Sequence, residues 1–131
     1  MKPKIYIHTV TVSQDDLDEL LHVNNVKYLN YLQEAAILHW YNTVPEYISE
    51  SLRWVVKKHE IEYFKAAFLN DNLQIKTWVD SFSGVSSDRH YEIYRNDQLI
   101  VKARTLWVAI DPITLRPKRL PEDLQRVYFE E

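Results

Sequence analysis

Asp15, Asp16, Asp18 and Glu19 stand just ahead of His22, Asn24 and Asn25, so carboxylates, an imidazole and two amides crowd into one short stretch, DDLDELLHVNN. A carboxylate is charged at neutral pH and can act as a nucleophile or as a general base. Asn24 and Asn25 are good N-cap residues, whose side-chain oxygens accept from the orphan amides of a first helical turn. Amides left over point at whatever precedes the helix, where the macrodipole favours negative charge. Together these groups suit acyl transfer: one supplies the base or nucleophile, the other a place for the developing oxyanion. The same residue types also serve as turn formers, packing histidine and caps, and spacing by itself allows both uses.

Other chemistries are excluded by what the chain lacks. There is no cysteine, which removes disulfides, thiolate metal sites and cysteine nucleophiles. The single glycine, Gly84, cannot build a dinucleotide fingerprint, a phosphate-binding loop or a GxSxG nucleophile elbow, each of which needs several glycines at fixed spacing. No cofactor and no metal are expected. The formal net charge is −3, with acidic and basic residues interspersed, so no footprint for nucleic acid exists. Lys57 with Lys58, and Arg116 with Lys118 and Arg119, read as solvated strand ends or turns. MKPKIYIHTV alternates polar with apolar residues, and no stretch approaches the ~20 apolar residues that span a bilayer. A soluble, cytoplasmic protein without a membrane partner is the expectation.

The elements that must position the acidic segment follow from periodicity. Residues 4–13 are rich in β-branched side chains and read as a strand. From Val26 to about Asn42 apolar residues recur at helical spacing over most of the circumference, leaving a narrow polar stripe of Lys27, Asn30, Glu34 and Tyr41. Such a helix must be wrapped by something. Pro45 opens a second short helical turn through about Ser51. Strand signals dominate from Arg53, clearest where Leu73, Ile75, Thr77 and Val79 alternate with polar neighbours. Turns fall at Asn70 to Asn72, at Gly84 and at Asn96 with Asp97, and the tail after Pro112 reads as loop, short strand and a last helical turn. The order implies an α+β fold: one domain over residues 1–131, a curled antiparallel sheet wrapped around one long helix.

The run DLDELLHVNNVKYLNYLQE, Asp16 to Glu34, resembles the signature of hotdog-fold thioesterases. It is similar to the acyl-ACP thioesterases, with DLDxNxHVNNxxY and a downstream Glu, and to the 4-hydroxybenzoyl-CoA thioesterase group, with DxxGHVNNxxYxxxxE. Asp16, Leu17, Asp18, His22, Val23, Asn24, Asn25, Tyr28 and Glu34 stand in register. The resemblance implies hydrolysis of an acyl-CoA or acyl-ACP thioester, with Asp18 as the catalytic carboxylate, His22 orienting the site and Glu34 as an alternative carboxylate. It places Asn24, Asn25, Val26 and Tyr28 against substrate, an amide near Asn25 polarising the carbonyl. Tyr28, Leu32 and Trp54 are candidates for an acyl channel or for core. It also implies a homodimer or a dimer of dimers with sites at the interface. Three positions depart from the pattern: Leu20 replaces a catalytic Asn, Leu21 a Gly, and Ala36 an Arg. Leu20 removes a hydrogen-bonding side chain, which keeps open a second reading, a non-catalytic hotdog that binds acyl thioesters or serves as an assembly partner.

Overall fold

Period-two alternation and turn residues at the right intervals produce four long strands in succession after one helix. The computed structural model describes residues 2–130. In chain order the elements are β1 (Lys2–Pro3), β2 (Tyr6–Thr11), a single 3₁₀ turn (Gln14–Asp16), α1 (Asn25–Thr43) and α2 (Glu46–Ser49). Then follow β3 (Arg53–Tyr63), β4 (Asn72–Ser83), β5 (Ser86–Arg95), β6 (Gln98–Ile110), α3 (Leu124–Tyr128) and β7 (Phe129–Glu130). The main sheet has the order β2-β4-β5-β6-β3 and is antiparallel throughout, while β1 and β7 form a small separate pair.

The turns fall where the residues allow them. Gly84 (φ 61°) and Asn96 (φ 54°) take left-handed backbone between β4, β5 and β6, a region open to glycine and tolerated by asparagine. Register shifts at Val56/Lys58, Val79/Ser81 and Ile93/Tyr94 add local bends, and bulges of this kind increase strand twist. The curled sheet packs on α1 through Leu73, Ile75, Tyr91 and Ile93, which meet Tyr28, Leu32 and Ala35 in one buried cluster. A second cluster joins Trp40, Leu52 and Val79 to Leu124, Tyr128 and Phe129 of the tail. This is the hotdog arrangement, the α+β architecture that the sequence pattern requires.

Two local expectations change. The first strand is shorter than residues 4–13: after Thr11 the chain leaves β4, and Val12 exchanges backbone hydrogen bonds with Asn70 and Asp71 instead. Nor is α1 wrapped everywhere outside its polar stripe, since Ile37 is 51% exposed beside Tyr41 of the stripe, which is 61% exposed. They border a cavity described below. The helix also buries His39, a polar residue on its inner face. Among the described residues no helix is long and apolar enough to cross a membrane.

Candidate active site

The acidic segment is pinned to α1 from its first carboxylate. Asp16 Oδ2 accepts from Ser13 N at 3.0 Å, from Ser13 Oγ at 3.2 Å and from the Tyr31 hydroxyl at 2.8 Å, while Lys27 Nζ lies 3.9 Å from Oδ1. Burial by itself would raise the Asp16 pKa, but the Ser13 and Tyr31 hydrogen bonds and the Lys27 charge hold it below the ordinary value. The same burial, with the Asp16 charge beside it, pushes the Tyr31 hydroxyl upward. Asn24 N–H donates to the Asp16 carbonyl at 2.8 Å. Asp16 thus ties the loop to the helix and has little capacity left for chemistry.

Asp18 is held differently. Its Oδ1 accepts from Leu20 N at 2.9 Å and from His22 N at 3.2 Å, and its backbone N–H donates to the His22 carbonyl at 2.8 Å. Among the described residues its Oδ2 has neither a hydrogen bond nor an ion pair. Closing this turn requires Leu21 at φ 61°. A left-handed residue there explains why the motif that this segment resembles has Gly at that position. His22 and Val23 are fixed in turn by the chain after β3: His22 bridges to Phe68, whose ring meets the imidazole edge-on at 5.1 Å, and Val23 N–H donates to Ala67 O at 2.9 Å.

These contacts enclose a cavity of about 240 Å³ lined by Asp18, His22, Asn25, Tyr28, Tyr63 and their neighbours. The Tyr28 hydroxyl accepts from Ala67 N at 3.1 Å, and burial raises its pKa. Asn24 caps α1 by accepting from Val26 N at 3.0 Å. The Asn25 N–H, next in line at the helix start, has no partner among the described residues. Asp18, with one unengaged carboxylate oxygen, and Asn25, with an unengaged helix amide, therefore both line one cavity.

Of the residues singled out in the sequence, Asp18, His22, Asn25 and Tyr28 come together here. Asn24 and Val26 act through the cap and do not line the cavity. Glu34 lies outside it, its Oε2 3.5 Å from His8 Nε2. Leu32 is core with no exposure, and Trp54 lines a different cavity. Tyr63, Phe64 and Lys65 complete the wall and were not foreseen, because only the pairing of residues 22 and 23 with the chain after β3 brings them here.

The second cavity, about 390 Å³, lies between the second half of α1 and the sheet, walled by Trp40, Trp54, Trp107 and Tyr128. Arg89 is among its lining residues and is only 5% exposed. Its Nη1 lies 2.9 Å from His39 Nδ1 and 3.0 Å from Thr77 Oγ1, and among the described residues no carboxylate pairs with it. Burial lowers its pKa, yet a guanidinium stays charged at neutral pH. Burial, followed by the Arg89 charge, lowers the His39 pKa to about 3, so His39 is neutral and its Nδ1 accepts. For a metal, Asp80, Asp88 and His90 are the described group with clustered ligand atoms, but Asp88 is already held by Arg104 through bonds of 2.8 and 2.9 Å.

Comparison with known proteins bears on the family and the fold. A family model described as the thioesterase-like superfamily matches residues 12–127. The chain belongs to that superfamily. It is 26% identical over 128 residues to the acyl-CoA thioester hydrolase YbgC of Escherichia coli O6:H1, covering 95% of this chain and 96% of that one. It is 28% identical over 109 residues to the chloroplastic palmitoyl-acyl carrier protein thioesterase of Gossypium hirsutum, covering 74% of this chain and 26% of the plant protein. The fold superposes on the probable thioesterase YbaW of Escherichia coli with a TM-score of 0.83 at 26% identity, covering 92% and 94% of the two chains. At the Leu20 departure the structure shows a backbone contact: the N–H of Leu20 donates to Asp18 Oδ1 at 2.9 Å.

Proposed function

We propose that this chain hydrolyses acyl-CoA or acyl-ACP thioesters, with the Asp18 carboxylate driving the attack and the Asn25 amide receiving the carbonyl oxygen. Thioester hydrolysis is the chemistry for which its relatives are named. The observation that carries the site assignment is that Asp18, whose Oδ2 is unengaged, and Asn25, whose N–H is unengaged, line the same cavity. Asp18 takes a proton from water as the water oxygen adds to the thioester carbon. The negative charge that develops on the carbonyl oxygen is met by the Asn25 N–H and the positive end of α1. Collapse breaks the C–S bond, the proton on Asp18 passes to the departing thiolate, and free acid and thiol leave. Direct attack by Oδ2, with water then cleaving the mixed anhydride, uses the same groups. His22 orients Asp18 through its backbone N–H, and Glu34 takes no part.

The working unit is a homodimer joined along β3. This strand is bonded on one side only, to β6, and exposes Val55 and Val56 at 43% and 37%. A long open edge of this kind invites pairing. Antiparallel pairing about its midpoint sets the Tyr63 end of one protomer beside the Arg53 end of its partner. The Asp18 cavity, lined by Tyr63, then adjoins the partner's aromatic cavity, lined by Arg53 and Trp54. The acyl chain runs from the first into the second.

The test is thiol release from a panel of acyl-CoA and acyl-ACP substrates, by the native chain and by Asp18→Asn. Turnover that is lost in Asp18→Asn is expected, and equal rates would remove Asp18 from the mechanism. The second reading, binding without catalysis, draws on the 73% and 64% exposure of Leu20 and Leu21, which bring no polar group to the cavity. Absence of turnover together with a melting temperature raised by acyl-CoA would select it.

A further inference from the structure

Arg89 is out of keeping with its surroundings. It stands on β5 in the buried series Ser87, Arg89, Tyr91 and Ile93, where a strand presents side chains to the core. Burying a cation is costly unless an anion pairs with it. Here the partners are a neutral imidazole and a hydroxyl, both reached by Nη1, and the face of the Tyr128 ring, 5.8 Å from the guanidinium carbon; none of them is an anion. The Tyr128 hydroxyl, on a residue in the wall of the same cavity, is buried without a hydrogen-bond partner among the described residues. The volume of about 390 Å³ falls in the ~300–1,000 Å³ range of small-molecule sites. Its exposed lining residues, Ile37, Tyr41, Arg53 and Val56, form the entrance, where Arg53 Nη1 is engaged by the Ser49 and Leu52 carbonyls, and Val79, Ser87 and Arg89 are among its buried ones at the inner end.

We propose that this cavity receives a carboxylate with an apolar body, the body packed among Trp40, Trp54 and Trp107 and the anionic end held by Arg89. The anion completes an ion pair that the described residues leave open, and a planar guanidinium offers the donor fork that a carboxylate fits. A neutral ligand of the same shape fills the same space and leaves the cation as it was. Such a carboxylate has two sources: the free acid released by hydrolysis, or the far end of an acyl group that carries a second carboxylate. The binding claim stands apart from the hydrolase reading, whereas the choice of source rests on it.

The experiment titrates the full-length chain with decanoate and, separately, with decanol, following the indole fluorescence of the cavity. Decanoate is expected to bind about tenfold or more tightly than decanol, with that preference gone in Arg89→Met. Ile37→Glu, at the exposed entrance, serves as a second variant that does not disturb the core and is expected to weaken decanoate several-fold more than decanol. Equal binding of acid and alcohol by the native chain, or a preference that survives Arg89→Met, would overturn the proposal. The sources are separated by comparing hydrolysis of decanoyl-CoA with that of the mono-CoA thioester of decanedioic acid. A lower KM for the second, abolished by Arg89→Met, assigns the acyl end; equal KM values with competitive inhibition by decanoate assign the released acid. Failure of the hydrolase reading shows as no turnover of either thioester while the decanoate preference persists.

Discussion

Asp18 is held by backbone N–H groups two and four residues along the chain, whereas Arg89 is held by side chains 50 and 12 residues away, on α1 and β4. The first arrangement is a turn: any residue with a backbone N–H at positions 20 and 22 can supply it, so Leu20 makes this contact without the polar side chain of the related motifs. The second exists only once the sheet has curled onto the helix, and each partner is a particular side chain. A carboxylate held by the backbone of a turn tolerates change in its neighbours' side chains, and a buried cation held by particular side chains across elements does not. The two regions should therefore respond to perturbation in different currencies, activity for one and stability or ligand preference for the other.

The largest effect is expected at Asp18. Asp18→Asn keeps an oxygen that can accept from Leu20 and His22 but loses the base, so kcat should fall by ~10²–10⁴ with the melting temperature nearly unchanged. Loss of stability in step with activity would mean that Asp18 is structural, as Asp16 is. His39 comes next. It titrates at about 3 when folded and near ~6.5 when unfolded, so between those values the unfolded chain binds the extra proton. The His39 contribution is fully present above the unfolded value and is lost as pH falls toward the folded one, with a slope of up to ~1.4 kcal/mol per pH unit. Urea unfolding of the native chain and His39→Gln at several pH values checks this, the variant showing the shallower loss; identical slopes would contradict it.

Smaller effects distinguish the two constructions further. Leu21→Gly relieves a left-handed residue that is 64% exposed and should raise stability by about 1 kcal/mol without altering the Asp18 turn, read from the urea midpoint. A lower midpoint would show that the Leu21 side chain packs usefully after all. Arg89→Met exchanges a buried cation for an apolar side chain of similar length. Its stability should stay within about 1 kcal/mol of the native chain, because relief from desolvation offsets the bonds lost to His39 and Thr77. A large destabilisation would mean that the cation is kept for folding and not for a ligand.

The same contrast accounts for what could be read from the sequence. The helix, the long strands and their turns were legible because each is written in a local period or a turn residue, and Asp18, His22 and Asn25 because they fall within one turn of chain. Tyr63 and Lys65 were not, since they reach the cavity through a bridge between His22 and Phe68 that no local pattern announces. Arg89 left a trace, an arginine at the same parity as Tyr91 and Ile93 on an alternating strand, but its meaning depends on the absence of a carboxylate across the fold. The exposure of Ile37 was likewise hidden, because helical periodicity marks an apolar side chain without saying whether a neighbour or a cavity lies against it.

The claim that unites the two regions is that Asp18 of one protomer acts on an acyl group seated in the aromatic cavity of its partner. Co-expression of Asp18→Asn with Ala36→Trp, a substitution meant to fill that cavity at one of its lining residues, tests it most directly through thioester hydrolysis by the purified mixture. Each variant alone should be nearly inactive, and random pairing should restore roughly a quarter of native activity, because half the dimers are mixed and each mixed dimer holds one intact site. A mixture as inactive as its components would contradict the account, as would full activity of Ala36→Trp by itself.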